Sequence, residues 1–180
     1  MNLVQRIRDH ARSGRLPDGR RIFLRTLREA DLEQAQEYFA RLSDESRYLR
    51  FFLPMPSLTA ETLAQLVEAM HQVRAAISVA FVDHGHREEL IGGARVVPTR
   101  RHGTSEFAIS IVDEWQGRGV GTLLLREVVR LAHALHYYRV QGTVLTINTK
   151  MLTVARRLRF QLRPDPEDPA ITIVSRTLLP

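Results

Sequence analysis

Residues 106–136 read EFAISIVDEWQGRGVGTLLLREVVRLAHALH, and this one stretch changes its period part-way. From Glu106 to Val112, polar or small residues alternate with Phe107, Ile109 and Ile111, the period of two that marks a strand. From Gly119 to His136, Leu, Val and Ala recur at helical spacing, and Thr122, Arg126, Arg130 and His133 form a narrow polar stripe. Between the two lie Gly117, Gly119 and Gly121, one at every second position. A reversal needs one glycine or two. Three describe a backbone that another molecule can approach closely.

The chemistry of such a turn is fixed by what a helix start exposes. The first four N–H groups of a helix have no acceptor inside it and point outward at the positive end of the dipole. A strand ending at Val112–Asp113 and a helix starting at Gly119 therefore make an anion site, with phosphate as its natural occupant and Arg118 at its rim. Three phosphate-loop patterns can be laid over it. G-x-x-x-x-G-K-[ST] fails, because no lysine follows the glycines. G-x-G-x-x-G requires glycine where this chain has Thr122. Q/R-x-x-G-x-G/A is met by Gln116, Gly119 and Gly121.

Working outward, the pattern predicts a strand over 21–27 and a helix over 28–42, with Leu32, Ala35, Tyr38, Phe39 and Leu42 on one face. SDESRYLRFFLPMPS follows as an irregular segment, where Pro54 and Pro56 stop any helix. Thr59 is a natural N-cap for a helix from residue 60. Strands follow at 75–83, 89–98 and 105–113, the first two joined by HGHR. After the long helix come a strand at 139–148, a short helix at 149–160, and two closing strands around PDPEDP. The order β-α-α-β-β-β-α-β-α-β-β predicts an α/β chain of the α+β kind, a mixed sheet with helices packed on it. Residues 1–20 are set aside as an extension whose first fifteen form a short basic helix or fray, and 21–180 as one domain.

Composition narrows the function. The 180 residues contain no cysteine, which excludes disulfides, thiol nucleophiles and cysteine-ligated zinc and favours the cytoplasm. No apolar run approaches the roughly 20 residues that span a bilayer, and the N-terminus has no signal-peptide core. The formal net charge of +6 fits a polyanionic partner, such as a phosphorylated cofactor or nucleic acid. No stretch interleaves basic and aromatic residues as single-strand binders do, which disfavours nucleic acid. No grouping of side chains calls for a metal. A homodimer is compatible with the sequence, which does not specify an oligomeric state.

With Gln116, Gly119 and Gly121 in this element order, the chain from about residue 21 resembles the GNAT acetyltransferases, whose pyrophosphate loop carries the third pattern. LSDESRYLRFF (42–52), SEFAISIVDEWQGRGVGTLL (105–124), NTKMLTVARRLRF (148–160) and RPDPEDPAITIVSRTL (163–178) are similar to the Pat-type bacterial protein lysine acetyltransferases. In that family the domain is often fused to a CoA-ligase-like or cyclic-nucleotide-binding module. This sequence shows neither, so the resemblance carries the chemistry and not the regulation.

The resemblance implies the GNAT fold, a central, mostly antiparallel sheet flanked by helices. It implies acetyl-CoA as cosubstrate and direct attack of an amine on the thioester. The backbone N–H groups of Gln116, Gly117, Arg118, Gly119, Val120, Gly121 and Thr122 then hold the pyrophosphate. Ile111 and Val112 meet the pantetheine arm, Val112 through its backbone, and Asn148 and Met151 touch the cofactor. Asn148 reads equally well as a plain N-cap.

Glu106 falls at the family's catalytic glutamate. It shares a strand face with Ala108, Ser110 and Val112, where a carboxylate beside small residues can face a cleft; the other reading is a surface ion pair. Free lysine titrates at about 10.4 and free glutamate at about 4.3, so direct transfer in water is uphill; partial burial of the glutamate, with a bridging water to relay the proton, is expected to ease it. Many GNAT enzymes carry a tyrosine in the last helix to protonate the departing thiolate. The stretch 148–160 has none, and Tyr137 and Tyr138 do not match, so no general acid is assigned.

Arg47, Tyr48, Arg50, Phe51 and Phe52 combine charge with large rings. Arg47, Tyr48 and Phe51 are read as substrate wall, against the alternative of core rings with surface arginines. His84 and His86 read as turn residues around Gly85, and Trp115 as the packed anchor of the loop. The resulting expectation is acetyl transfer to a primary amine, first of all a protein lysine. The alternatives are a small amine acceptor (polyamine, amino acid or antibiotic), a CoA-binding sensor without turnover, and a basic nucleic-acid-binding domain.

Overall fold

The computed structural model describes residues 11–85 and 88–178. Among the described residues, eight strands and five α-helices follow one another. They are β1 (Arg12–Arg15), β2 (Arg21–Thr26), α1 (Leu32–Ala40), α2 (Asp44–Phe51), α3 (Ala60–His71), β3 (Ala76–Asp83), β4 (Glu88–Pro98) and β5 (Thr104–Ile111), then α4 (Val120–Ala134), β6 (Arg139–Leu145), α5 (Thr149–Arg157), β7 (Gln161–Pro164) and β8 (Ile171–Thr177). The strands form one sheet in the order β1-β2-β3-β4-β5-β6-β8-β7. Every neighbouring pair is antiparallel except β5 and β6.

Burial follows from the two-residue period. Along β3, Ala76, Ala80 and Val82 join the larger core, while Ile77, Val79 and Phe81 join a second cluster with Leu27, Ala69 and Leu90. Both faces of the sheet centre are therefore covered, which is why AISVAFV is buried without a break. The stripe of α4 that covers the larger core is Leu124, Leu125, Val128, Leu131 and Ala132, all nearly inaccessible. On the other side, Arg25 of β2 holds Asp31 just ahead of α1 through two hydrogen bonds of 2.6 and 2.9 Å, and its guanidinium lies 4.2 Å from the Phe81 ring.

Two expectations need correction. Residues 44–51, expected to be irregular, form α2. Ser43 caps it by accepting the Ser46 N–H at 3.1 Å, and Phe52 ends it in the left-handed conformation at φ 65°. Both prolines lie beyond that end, so neither obstructs the helix. Residues 12–15, expected to be helical or frayed, form β1 against β2, and Leu16 beyond it is buried in the core. Residues 1–10 lie outside the described residues.

The feature that shapes the site is where β5 and β6 part. They pair only at residues 104–106 with 139–141. Beyond that β5 follows β4 to Ile111, while β6 follows β8 to Leu145. The Phe107 ring stands at the fork, edge-on to Phe160 at 5.7 Å between centroids. A Cβ on Gly142 would lie 2.7 Å from that ring, so β6 needs glycine there to pass it.

Candidate active site

The turn after β5 is built in three parts. Asp113–Trp115 make one 3-10 turn, in which the buried Trp115 packs into the core. The guanidinium of Arg20 lies 4.5 Å from the Trp115 ring and that of Arg118 5.7 Å from it, so the loop is pinned by its only indole, as expected. Gly117 and Gly119 then take φ values of 72° and 97°, which other residues adopt only with strain. Gly119 is the N-cap of α4. Gly121 serves packing instead: a Cβ there would meet Ile111 Cδ1 at 3.3 Å, so its smallness lets α4 sit close on β5. Of the N–H groups expected to hold a pyrophosphate, that of Gln116 donates instead to the Asp113 carbonyl at 3.1 Å and that of Thr122 to the Gly119 carbonyl at 3.0 Å, which leaves those of Gly117 to Gly121 at the helix N-terminus, with exposed Arg118 among them.

Side chains tie this turn to its neighbours. Asp113 accepts from the Ser43 N–H at 3.0 Å, the Ser43 hydroxyl at 2.7 Å and the Ser46 hydroxyl at 3.0 Å. Burial raises the Asp113 carboxyl, but these hydrogen bonds outweigh it and hold the group below its usual value. Gln116 Nε2 donates to Ser46 Oγ at 2.9 Å and to the Ile111 carbonyl at 3.2 Å, and Gln116 Oε1 accepts from Lys150 at 3.2 Å. The glutamine of the loop pattern is thus a strut between β5, α2 and α5. Ser43, Ser46, Asp113 and Lys150 carried no motif that sequence reasoning could have caught.

At the fork, a gap of about 240 Å³ opens between β5 and β6 and extends along β5 as far as Ile109. Glu106, Phe107, Ala108 and Ile109 form its β5 wall, Thr143 and Val144 its β6 wall, and Asn148 and Met151 its α5 wall. Asn148 caps α5 by accepting the Met151 N–H at 3.1 Å, and it also lines the gap. Val112 does not meet its own. Its N–H donates to the Ile91 carbonyl at 3.0 Å, and its carbonyl accepts from Trp115 at 2.9 Å. Since hydrogen-bonding direction alternates along an antiparallel strand, Ile109 and Ile111 are the residues whose backbone groups face the gap. The Gln116 bond to the Ile111 carbonyl shows that direction.

The α2 wall departs from expectation in detail. Phe51 lines the gap, as do Leu49, Arg50 and Phe52. Arg47 does not: it donates to the carbonyls of Ala40 at 3.0 Å and Pro56 at 2.6 Å, and its guanidinium lies 5.0 Å from the Phe39 ring. It is a brace between α1 and the segment after α2. Tyr48 is exposed and lines no cavity among the described residues. Tyr137 and Tyr138 bond the carbonyls of Arg74 and His102, away from the gap. His84 pairs with Glu89 at 2.5 Å in its turn, and His86 lies outside the described residues.

A second cavity, of about 320 Å³, adjoins the gap. The two share Arg50, Phe51, Arg95 and Ala108 as walls. Its far side is apolar, and the Tyr38 hydroxyl donates to Ser110 at 2.8 Å across it. Burial pushes the Tyr38 phenol well above its usual value. Tyr38 reads in the sequence as a core residue of α1; the structure shows it facing a cavity.

An acetyltransferase (GNAT) domain model matches residues 21–161. The chain belongs to the GNAT acetyltransferase family. This GNAT domain is 28% identical over 153 residues to Acetyltransferase PA5475 of Pseudomonas aeruginosa, covering 85% of this chain and 82% of that protein. It is 30% identical over 142 residues to Acetyltransferase Pat of Mycolicibacterium smegmatis, covering 78% of this chain but 41% of that protein. Among solved structures, the GNAT domain of S. lividans PAT superposes with a TM-score of 0.82 at 25% identity, covering 93% of this chain and 97% of that one. Two further neighbours that share the fold, at TM-scores of 0.69 and 0.67, are structures with acetyl-CoA. The eight-stranded, mostly antiparallel sheet and its flanking helices are the GNAT architecture, and the family's members are acetyl-CoA-dependent acyltransferases.

Proposed function

We propose that this GNAT domain moves an acetyl group from acetyl-CoA to a primary amine, with a protein lysine side chain as its acceptor and Glu106 as general base. One observation carries the reading: the glycine turn that suits a pyrophosphate and the carboxylate of Glu106 lie toward opposite ends of one strand, and a gap opens along that strand from Glu106 to Ile109 where β5 leaves β6. In this reading the N–H groups at the start of α4 hold the pyrophosphate. The backbone edge of Ile109 and Ile111 pairs with the pantetheine arm, and Asn148 and Met151 flank it from α5.

Bound acetyl-CoA supplies the activated acyl group. The amine loses its ammonium proton to Glu106, directly or through a water. Its nitrogen bonds to the thioester carbonyl carbon and gives up a second proton to water as the C–S bond breaks, and CoA leaves as a thiolate that takes a proton from water. Glu106 is exposed at the mouth of the gap, within reach of a side chain presented by another protein. That exposure and the likeness of residues 42–52 and 148–160 to Pat-type enzymes support lysine as acceptor. A chain without cysteine suits the reducing cytoplasm, where we place the reaction.

Arg118→Glu tests the loop without disturbing its glycines, because Arg118 is exposed. Acetyl-CoA affinity is expected to fall about tenfold or more, the loss of one charge-assisted contact, with the thermal midpoint unchanged. The acceptor is tested by thiol release with lysine-rich proteins against polyamines, amino acids and aminoglycosides. Faster release with protein lysines is expected; release with small amines alone would contradict that choice.

A further inference from the structure

Two arginines stand where the cavity meets the gap. Arg95 of β4 lies directly across from Ala108 in the β4–β5 register, and Val97 lies across from Glu106. Opposite residues of an antiparallel pair share a face, so Arg95 and Glu106 are diagonal neighbours on it. Arg50 approaches the same spot from α2, its guanidinium 4.7 Å from the Phe51 ring. Among the described residues, no carboxylate comes within ion-pair distance of either arginine. Arg95 Nε is buried and has no hydrogen-bond partner. Burial and the neighbouring charge of Arg95 lower the Arg50 guanidinium to about 10, against a smaller opposing pull from the Glu106 carboxylate.

Such an arrangement is costly by itself. Two like charges share a partly buried site, and one buried donor goes unanswered. A CoA pyrophosphate does not answer it, since Ala108 lies three strand residues, about 10 Å, short of Ile111 and the glycine turn. Beyond the arginines, the floor of the cavity is made of Gly93, Ala94, Ala108 and Ser110, small residues that leave room for a short chain. At roughly 30 Å³ per non-hydrogen atom, 320 Å³ admits about ten such atoms. An acetyl group fills little of that.

We propose that Arg50 and Arg95 form a carboxylate-binding site, and that the substrate seated in this cavity is a short aliphatic chain bearing a carboxylate. The inference rests on the acyl-transfer reading of the gap and not on acetyl or a protein lysine as the groups it joins: a carboxylate on the acyl group would replace acetyl, and one on the acceptor would replace the protein lysine. The carboxylate has two chemical sources. It can belong to the acyl group, as in the thioester of a four- or five-carbon dicarboxylic acid, or to the acceptor, as in an amino acid. The bond changes are those given above: N–C forms, C–S breaks, and the carboxylate takes no part except to be held.

The test has two arms on the whole chain. In the first, succinyl-CoA and acetyl-CoA are titrated calorimetrically into the wild type, Arg95→Met and Arg95→Lys. In the second, kcat/KM with acetyl-CoA is compared for leucine against isopentylamine, and for 5-aminopentanoate against pentylamine. One arm is expected to favour the carboxylate by roughly ten- to hundredfold, the range of a charge-assisted contact. That preference disappears in Arg95→Met and survives in part in Arg95→Lys; if Arg95→Met does not fold, Arg50→Met gives the same reading. A preference in the first arm assigns the carboxylate to the acyl group, and in the second to the acceptor. Less than threefold preference in both wild-type arms overturns the inference, as does a preference that persists in both Met variants. If acetyl-CoA itself fails to bind, the acyl-transfer reading and this inference fall together. If it binds and no carboxylate is preferred, only this inference falls.

Discussion

Replacing Glu106 by glutamine is expected to slow acyl transfer by roughly 10²–10⁴-fold, the usual worth of a positioned general base, while acetyl-CoA binds as before. Glutamine keeps the shape and the hydrogen-bonding oxygen but cannot take the ammonium proton. Glu106 stands near the fork of β5 and β6, at the far end of β5 from the glycine turn, so its loss leaves the anion site untouched. Its alternation with Phe107 puts the carboxylate on the face shared with Ala108 and Ser110, while the Phe107 ring goes to the other face and packs on Phe160. The measurement is single-turnover thiol release beside a binding titration. Wild-type turnover in the variant would remove Glu106 from the mechanism.

The largest effect on stability is expected at Asp31. Its carboxylate takes two hydrogen bonds from Arg25 and one from the Arg28 N–H at 2.8 Å, and the residue is buried. Asp31→Ala leaves Arg25 partly buried with only the exposed Glu88 carboxylate, 3.7 Å away, as its counter-ion, which is expected to cost about 3 kcal/mol. The helix that begins there carries Tyr38, so the cavity wall loosens with it. Burial raises the Asp31 carboxyl, but the bonds from Arg25 and Arg28 outweigh it, and the folded value lies below the ordinary 3.8. A group depressed on folding stabilises fully above its unfolded value and loses that contribution as pH falls through the folded one. Denaturant titrations should therefore separate wild type from variant at pH 7 and bring them together below 3.8. A constant gap down to the most acidic pH would mean that lost packing, not the ion pair, explains the cost.

Much of this was legible in the sequence because it is local. The change of period across residues 106–136 defines β5, the turn and α4, and the loop pattern at Gln116, Gly119 and Gly121 marks the turn we propose as the anion site. What escaped is set by partners distant in the chain. The Asp44–Phe51 helix was hidden by Pro54 and Pro56, although Ser43 and its bonds to Asp113 decide where that helix starts. Val112 sits at the end of a strand, yet which residues offer backbone to the gap depends on the pairing with Ile91. The fork itself requires Gly142 to meet the Phe107 ring across 35 positions of sequence, and no short window contains both. Arg47 and Arg50 look alike in SRYLRFF; one turn of helix separates a brace from a cavity wall.

The central claim is that the turn between β5 and α4 holds the pyrophosphate of acetyl-CoA. Calorimetric titration of the purified protein, freed of any co-purified CoA, tests it most directly when run beside Arg118→Glu. The account predicts one site of micromolar affinity that weakens in the variant and with added salt. A folded protein that takes up no acetyl-CoA, or binds it equally well with glutamate at 118, would contradict it.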